Sequence, residues 1–196
     1  MHSKKLIYHT LNKPMYKKIL NAIDNVMNDY MDRHGKVYAM RLDVHLPQDA
    51  DQKLIMVFNH RFIEIEKNQG YDPAYIMARE IGEEDGNIHH HMALFLNGQK
   101  TESIYPHLDN AKTVLKRISL VENKEGGKID PCNRGHRNGI MILRDDPDSR
   151  NLREVQRQMS YLAKIEQKEN VKGKTFFSSR IKKKKWIKLF GYYMTT

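Results

Sequence analysis

Residues 87–96 read Asn-Ile-His-His-His-Met-Ala-Leu-Phe-Leu, a pattern that predicts a buried strand. Because side chains alternate along a strand, His89 and His91 share one face and His90 lies on the other. Two imidazoles two strand steps apart, about 7 Å at their backbones, can bind one metal ion. His90 shares its face with apolar residues, so we expect it to be packed with one ring nitrogen hydrogen-bonded. The alternative is a wet hairpin edge whose three histidines hold no ligand.

The strand before this one supplies a carboxylate. Residues 74–81 predict a strand joined to residues 87–96 by a polar turn, so an antiparallel hairpin is expected. Such a hairpin would bring Glu80 near His89 or His91. One carboxylate with two imidazoles leaves metal positions open, as a catalytic site requires. Mg²⁺ or Mn²⁺ would suit this set, and Zn²⁺ is compatible with it. Three rival carboxylates lie in the turn itself: Glu83, Glu84 and Asp85.

Helices and further strands flank the hairpin. The strand at 37–46 alternates cleanly, with apolar side chains on one face and Arg41, Asp43 and His45 on a polar face. A short strand is predicted at 139–144. Apolar residues at helical spacing predict helices at 12–33, 49–67, 108–121 and 151–168. The pattern indicates an α+β fold in which an antiparallel sheet packs against helices.

A second chemical signal lies in the helix predicted at 151–168. Tyr161 and Lys164 are three residues apart, so a helix would place both on one face. A phenol has a pKa near 10, and a nearby cation favours its phenolate, the stronger nucleophile. Such a spacing also arises by chance in a chain with 10 tyrosines. Tyr161 could then be an aromatic at the edge of the core.

The overall charge predicts a polyanionic partner. The formal net charge is +10 and the isoelectric point is about 9.5. Cys132 is the single cysteine, which excludes a disulfide within the chain and fits a reducing cytoplasm. No apolar run approaches the length of a membrane span, and the first residues do not predict export. The candidates for DNA binding combine cations with an aromatic: Arg41, Lys174, Arg180, Lys182, Lys183, Lys184, Lys185 and Trp186.

The order of these features resembles the HUH endonucleases, which are named for a histidine–hydrophobic–histidine strand. The resemblance is carried by Ala78-Arg79-Glu80, by residues 89–97 and by Tyr161-x-x-Lys164, and it spans roughly residues 37–165. Within that superfamily the chain is most similar to the filamentous-phage (inovirus) replication initiator-like family. It departs from the pattern at His90, where an apolar residue is usual. That departure leaves open a one-residue shift in which His90 binds the metal.

The resemblance implies an RRM-like fold with a central antiparallel sheet and a divalent metal. His89 and His91 would be metal ligands, Glu80 the third ligand, Tyr161 the nucleophile and Lys164 its helper. The implied activity is nicking of single-stranded DNA through a 5′-phosphotyrosine, as at the start of rolling-circle replication. The family also implies an origin hairpin and a host helicase as partners.

Several alternatives stay open at this point. A phosphoesterase could use the same ligands to activate water, and a non-catalytic nucleic-acid-binding module would need only the charge and the fold. A second tyrosine could come from Tyr192-Tyr193. We expect an N-terminal helical segment, residues 1–35, packed on a nickase domain, residues 36–196, the two forming one structural domain. The basic tail belongs to the nickase domain, and the protein is expected to be a monomer or weak dimer.

Overall fold

A computed structural model shows how the strands are ordered. It describes residues 15–47, 50–51, 53–82, 88–121, 123–124, 126–132, 138–146, 149–165, 168, 174–181, 186–189 and 192–195. Within them, the strands of the main sheet are β1 (Lys36–His45), β2 (Ala74–Ile81), β3 (Ile88–Asn97), β4 (Lys128–Pro131), β5 (Ile140–Leu143) and β6 (Phe176–Ser178). Their order is β4-β1-β3-β2-β6, every pair is antiparallel, and β5 also pairs with β1. A separate two-stranded sheet joins β7 (Trp186–Leu189) to β8 (Tyr192–Thr195).

Helices cover both faces of the main sheet. They are α1 (Lys17–Arg33), α2 (Leu54–Asn68), α3 (Tyr105–Val121) and α4 (Arg150–Ser160), and a 3-10 turn (Tyr161–Ala163) follows α4. The series β1-α2-β2-β3-α3-β4 is a split βαβ arrangement, and α2 and α3 pack on the same face. The opposite face is covered by α1, α4 and the 3-10 turn. The predicted RRM-like α+β fold, with a central antiparallel sheet packed by helices, is confirmed.

The alternation predicted for β1 is correct, but its polar face is not exposed. Arg41 and Asp43 are only 6% and 8% exposed. The same face carries Val37 and Ala39 farther along the strand, where α1 packs on it. The face therefore divides into an apolar part under α1 and a polar part that is buried within the protein.

All four predicted helices begin or end at other residues, and α3 begins at Tyr105 rather than at residue 108. α1 begins at Lys17 rather than at residue 12, because Met15 forms a strand bridge with Lys164 and the Tyr16 amide donates to the Ala163 carbonyl at 2.7 Å. The rest of that predicted start, residues 12–14, lies outside the described residues. α2 begins at Leu54 rather than at residue 49, after a turn closed by its amide on the Asp51 carbonyl.

The largest difference is in α4. Ser149 caps this helix by accepting from the Leu152 amide at 3.1 Å, but the helix ends at Ser160 rather than at residue 168. The backbone tightens into the 3-10 turn and then pairs with Met15 at Lys164.

Among the described residues, no helix is long and apolar enough to cross a bilayer.

Candidate metal and tyrosine site

Three predicted ligands meet on the face of the sheet that α1, α4 and the 3-10 turn cover. Glu80 on β2 lies directly opposite His89 on β3, and His91 follows two residues later. The Oε2 atom of Glu80 is 3.0 Å from Nε2 of His91 and 3.8 Å from Nε2 of His89. One ligand atom from each residue lies within 4.8 Å of the other two. The hairpin register thus brings together the carboxylate and both imidazoles.

His91 is held from behind by β1. The register pairs Asp43 with His91, and Oδ1 of Asp43 lies 2.5 Å from Nδ1 of His91. Burial acts to lower the pKa of His91, but the two carboxylates, Asp43 and Glu80, outweigh it and raise that pKa above its usual value. When Nδ1 donates to Asp43, Nε2 is the atom left to face Glu80. Carboxylates in this position orient histidine ligands in metal sites and increase their basicity.

Glu80 is also held on its other oxygen. The buried ammonium of Lys168 pairs with Oε1 of Glu80, which leaves Oε2 facing the two histidines. Burial acts to raise the pKa of Glu80, yet the partners His91 and Lys168 prevail and lower it to about 2. Glu80 is therefore ionised at neutral pH and has one oxygen directed at the imidazoles.

This donor set fits a divalent metal ion. Atoms that bind one ion at about 2.0–2.2 Å are separated from each other by roughly 3–4 Å. The Glu80–His91 and Glu80–His89 separations of 3.0 and 3.8 Å already lie in that range. Three protein ligands would leave coordination positions for substrate or water. His89, His91 and Glu80 could therefore hold a metal, and the mixed nitrogen and oxygen set does not select one ion.

Tyr161 lies beside this site, but not on an α-helix as predicted. It opens the 3-10 turn, which packs on β2, the strand that carries Glu80. The Lys164 ammonium nevertheless lies 3.2 Å from the centroid of the Tyr161 ring. It lies over the face of the ring as a cation–π contact. The two predicted residues therefore meet through the 3-10 turn and the bridge that follows it, not through helical periodicity.

His90 lies on the opposite face of the sheet, as the alternation predicts. It is 0% exposed, and burial lowers its pKa to about 3, so its ring is neutral. The expected hydrogen bond is not formed, because neither ring nitrogen has a partner among the described residues. It shares that face with the apolar side chains that pack against α2 and α3, and Arg79 lies opposite it on β2. A one-residue shift that makes His90 a ligand would require turning this strand over.

The other predicted residues are the candidates for DNA binding and the rival carboxylates of the turn. Lys174 and Arg180 are exposed, and the Lys174 ammonium lies 4.9 Å from the centroid of the Phe177 ring. Arg41 is buried in the site rather than on the surface. Residues 182–185 and the three rival carboxylates of the turn lie outside the described residues, and for Trp186 the backbone alone is described.

Comparison with known proteins places the chain in a family. The sequence profile of the YagK/YfjJ C-terminal domain matches residues 1–179. The chain belongs to that family. No curated protein is significantly similar to it in sequence. Among solved structures, a phage SAM lyase in complex with S-methyl-5′-thioadenosine is 17% identical, with 56% of this chain and 91% of that one covered, at a TM-score of 0.29. At that TM-score the likeness supports no conclusion about fold or function.

In this YagK/YfjJ C-terminal domain, sequence reasoning did not assign a role to two residues of the site. Asp43 lies on the predicted polar face of β1, but only the pairing of β1 with β3 brings it to His91. No sequence signal marks Lys168, because lysines are common in this chain. The structure shows that this lysine is only 1% exposed. Its contact with Glu80 joins residues 88 positions apart.

Replacement of Asp43 by Asn is expected to weaken metal binding of this YagK/YfjJ domain by about 10–100-fold, because a neutral amide orients His91 less firmly and makes it less basic. Loss of the free Mn²⁺ signal in electron paramagnetic resonance titrations would measure the affinity. Asp109→Asn, on the exposed side of α3, is the matched control and should bind like the wild type. Equal affinity in both variants would exclude a role for Asp43 behind the metal.

Proposed function

We propose that this protein is a metal-dependent endonuclease that nicks single-stranded DNA and joins itself to the new 5′ phosphate through Tyr161. One observation carries the proposal. A carboxylate and two imidazoles converge at β2 and β3, and the 3-10 turn that begins with Tyr161 and leads to Lys164 packs on β2. The combination of a metal site with a tyrosine and a nearby cation is what the resemblance to HUH endonucleases implies. The family description of the chain names no activity, so the chemistry rests on the site itself.

The proposed step is a single exchange at phosphorus. The Tyr161 oxygen loses its proton to solvent and forms a bond to the phosphorus of a phosphodiester. The bond from phosphorus to the 3′ oxygen breaks, and that oxygen keeps the electron pair and takes up a proton. The products are a 5′-phosphotyrosine and a free 3′ hydroxyl. Because the new ester conserves the phosphodiester energy, the reverse reaction can later rejoin a strand without ATP.

Each part of the site has a distinct task in this proposal. A divalent ion held by His89, His91 and Glu80 would supply positive charge that polarises the scissile phosphate. Asp43 keeps Nε2 of His91 directed at the ligand position, and Lys168 holds the far oxygen of Glu80. The Lys164 ammonium, which lies over the Tyr161 ring, would place a positive charge beside the reacting phosphate.

The charge of the whole chain favours a nucleic acid as the partner, and we propose single-stranded DNA as the substrate. A net charge of +10 attracts a polyanion, and binding should weaken as salt rises. We propose that the protein acts in the cytoplasm as a monomer or weak dimer and recognises an origin hairpin. Rolling-circle replication with a host helicase is the process we propose for it.

Two other functions have less support. An RRM-type binding module stacks bases on an open sheet face, whereas both faces of this sheet are packed by helices. A phosphoesterase that activates water would use the same three ligands but would need no tyrosine. Formation of a covalent adduct separates that reaction from the proposed one.

The deciding experiment is an adduct assay. Wild-type protein is incubated with Mn²⁺ and a diverse pool of labelled single-stranded DNA, with and without EDTA, and analysed on denaturing gels. We expect a detergent-resistant protein–DNA species that EDTA prevents, and peptide mapping should place the DNA on Tyr161. Cleavage without an adduct would instead establish the water-activating reaction. DNA binding with neither product, even when the pool contains the origin hairpin that the protein recognises, would leave only a binding module.

A further inference from the structure

Arg41 is a buried cation without a carboxylate partner in the described part of the chain. Its residue is 6% exposed, and it lies on the site face of β1, two residues before Asp43. Arginine is almost never fully buried unless it is paired. A charge that is removed from water and left uncompensated destabilises the folded state. Some other anion is therefore expected to complete this position.

The side chain is positioned but incompletely bonded. The Asn138 amide brackets the Arg41 backbone, accepting from its N–H at 2.9 Å and donating to its carbonyl at 2.8 Å. One terminal amino group donates to the Gln158 carbonyl at 3.3 Å, close to the end of α4. The Nε–H is buried and has no hydrogen-bond partner among the described residues. The guanidinium therefore keeps donors available on a backbone that is held in place.

The guanidinium also lies near both the tyrosine and the lysine that holds Glu80. Its central carbon is 5.6 Å from the centroid of the Tyr161 ring. It is near enough to Lys168 to influence that ammonium, whose pKa is lowered chiefly by burial, against the opposing effect of Glu80, and further by Lys164 and Arg41. Of these three cations, Lys168 alone pairs with a carboxylate in the described residues. The neighbourhood of Tyr161 thus has an excess of positive charge.

We propose that Arg41 binds the non-bridging oxygens of the phosphodiester that Tyr161 attacks. The proposal rests on the function proposed above and names the group that receives the scissile phosphate. A guanidinium can donate two parallel hydrogen bonds to one phosphate, and such charge-assisted pairs are strong and directional. The phosphate would also neutralise the buried charge. The rival role is structural, with Arg41 serving only to bind the C-terminal carbonyls of α4.

Arg41→Met separates the two roles, because methionine fills similar space without a charge. The measurement is the thermal midpoint of metal-free protein, with and without a dinucleotide that contains one phosphodiester, at constant ionic strength in chloride. We expect the dinucleotide to raise the midpoint of the wild type. In Arg41→Met that rise should disappear, with affinity at least about tenfold lower. Arg41→Lys should retain part of it, and Arg117→Met, on the exposed face of α3, should behave like the wild type.

The unliganded proteins give a second readout. If Arg41 awaits an anion, Arg41→Met should unfold at the same temperature as the wild type or higher, since an uncompensated buried charge has been removed. A merely structural role predicts a lower midpoint and an unchanged response to the dinucleotide. Retention of that response in Arg41→Met, or its absence from the wild type, would overturn the proposal.

Adduct formation connects this site to the reaction. In the assay with Mn²⁺, Arg41→Met should form the adduct about 10²–10³-fold more slowly, the usual loss when one donor to a transition-state oxyanion is removed. An unchanged rate would overturn the proposal. If the wild type responds to the dinucleotide through Arg41 but never forms an adduct, the phosphate site stands and the proposed nicking fails. The two ideas are therefore tested separately.

Discussion

Tyr161→Phe is expected to abolish covalent capture of single-stranded DNA while leaving DNA binding intact. The substitution removes one oxygen, the atom that would form the bond to phosphorus. It keeps the ring over which the Lys164 ammonium and the Arg41 guanidinium lie. Loss of a nucleophile lowers the rate by roughly 10³-fold or more. Denaturing gels would measure the adduct, and fluorescence anisotropy with the same DNA would measure binding.

Two controls show whether loss of the adduct in Tyr161→Phe comes from the missing hydroxyl alone. The Tyr161 hydroxyl has no hydrogen-bond partner among the described residues, so the thermal midpoint of Tyr161→Phe should match that of the wild type. The double variant Tyr192→Phe with Tyr193→Phe should still form the adduct, because we place the first attack at Tyr161. An adduct in Tyr161→Phe at the wild-type rate would contradict the proposed nucleophile and direct attention to the C-terminal pair.

His89→Ala is expected to remove both metal binding and adduct formation. It deletes one of the three ligand groups but leaves Glu80 paired with His91 and Lys168. The buried part of the cluster therefore stays compensated, and the fold should survive. Mn²⁺ affinity should fall by more than about 100-fold, since loss of a direct ligand exceeds the loss seen for supporting residues. Titration with Mn²⁺ and the adduct assay would give the two values.

His90→Leu is the matched control for that variant. It replaces the neighbouring histidine, whose buried ring nitrogens have no hydrogen-bond partner among the described residues. Removing an unsatisfied buried polar group should leave stability equal or higher, by about 1–3 kcal/mol. Metal binding and adduct formation should be unchanged. If His90→Leu lost the metal while His89→Ala kept it, the ligands would be offset by one residue and the proposed site would be wrong.

The strands were easier to predict than the helix ends. Period-two alternation is a local property, so β2 was placed at its observed residues and β3 within one residue of them. The short strands β4 and β6 were not predicted, because three or four residues carry no clear period. The end of α4 was misplaced since the bridge between Met15 and Lys164, which competes with the helix there, joins distant parts of the chain.

The site residues likewise include some that local sequence patterns predict and others that depend on tertiary contacts. The placement of two histidines on one face follows from strand alternation. The placement of Glu80 near them follows from the hairpin that the polar turn predicts. Asp43 depends on which strand pairs with β3, and the buried Lys168 depends on a contact with β2 across 88 residues. The burial of Arg41 depends on α4 and the 3-10 turn lying over the sheet.

By itself the sequence determined which side chains share a face, the α+β class and the hairpin that joins Glu80 to the histidines. Those features follow from the geometry of a strand and a short turn, and both are local. The tertiary structure alone decided that Asp43 supports His91, that Lys168 holds Glu80 and that Arg41 is buried beside Tyr161. Such contacts depend on strand order and helix packing, which are set by burial of the whole core rather than by any short stretch of residues.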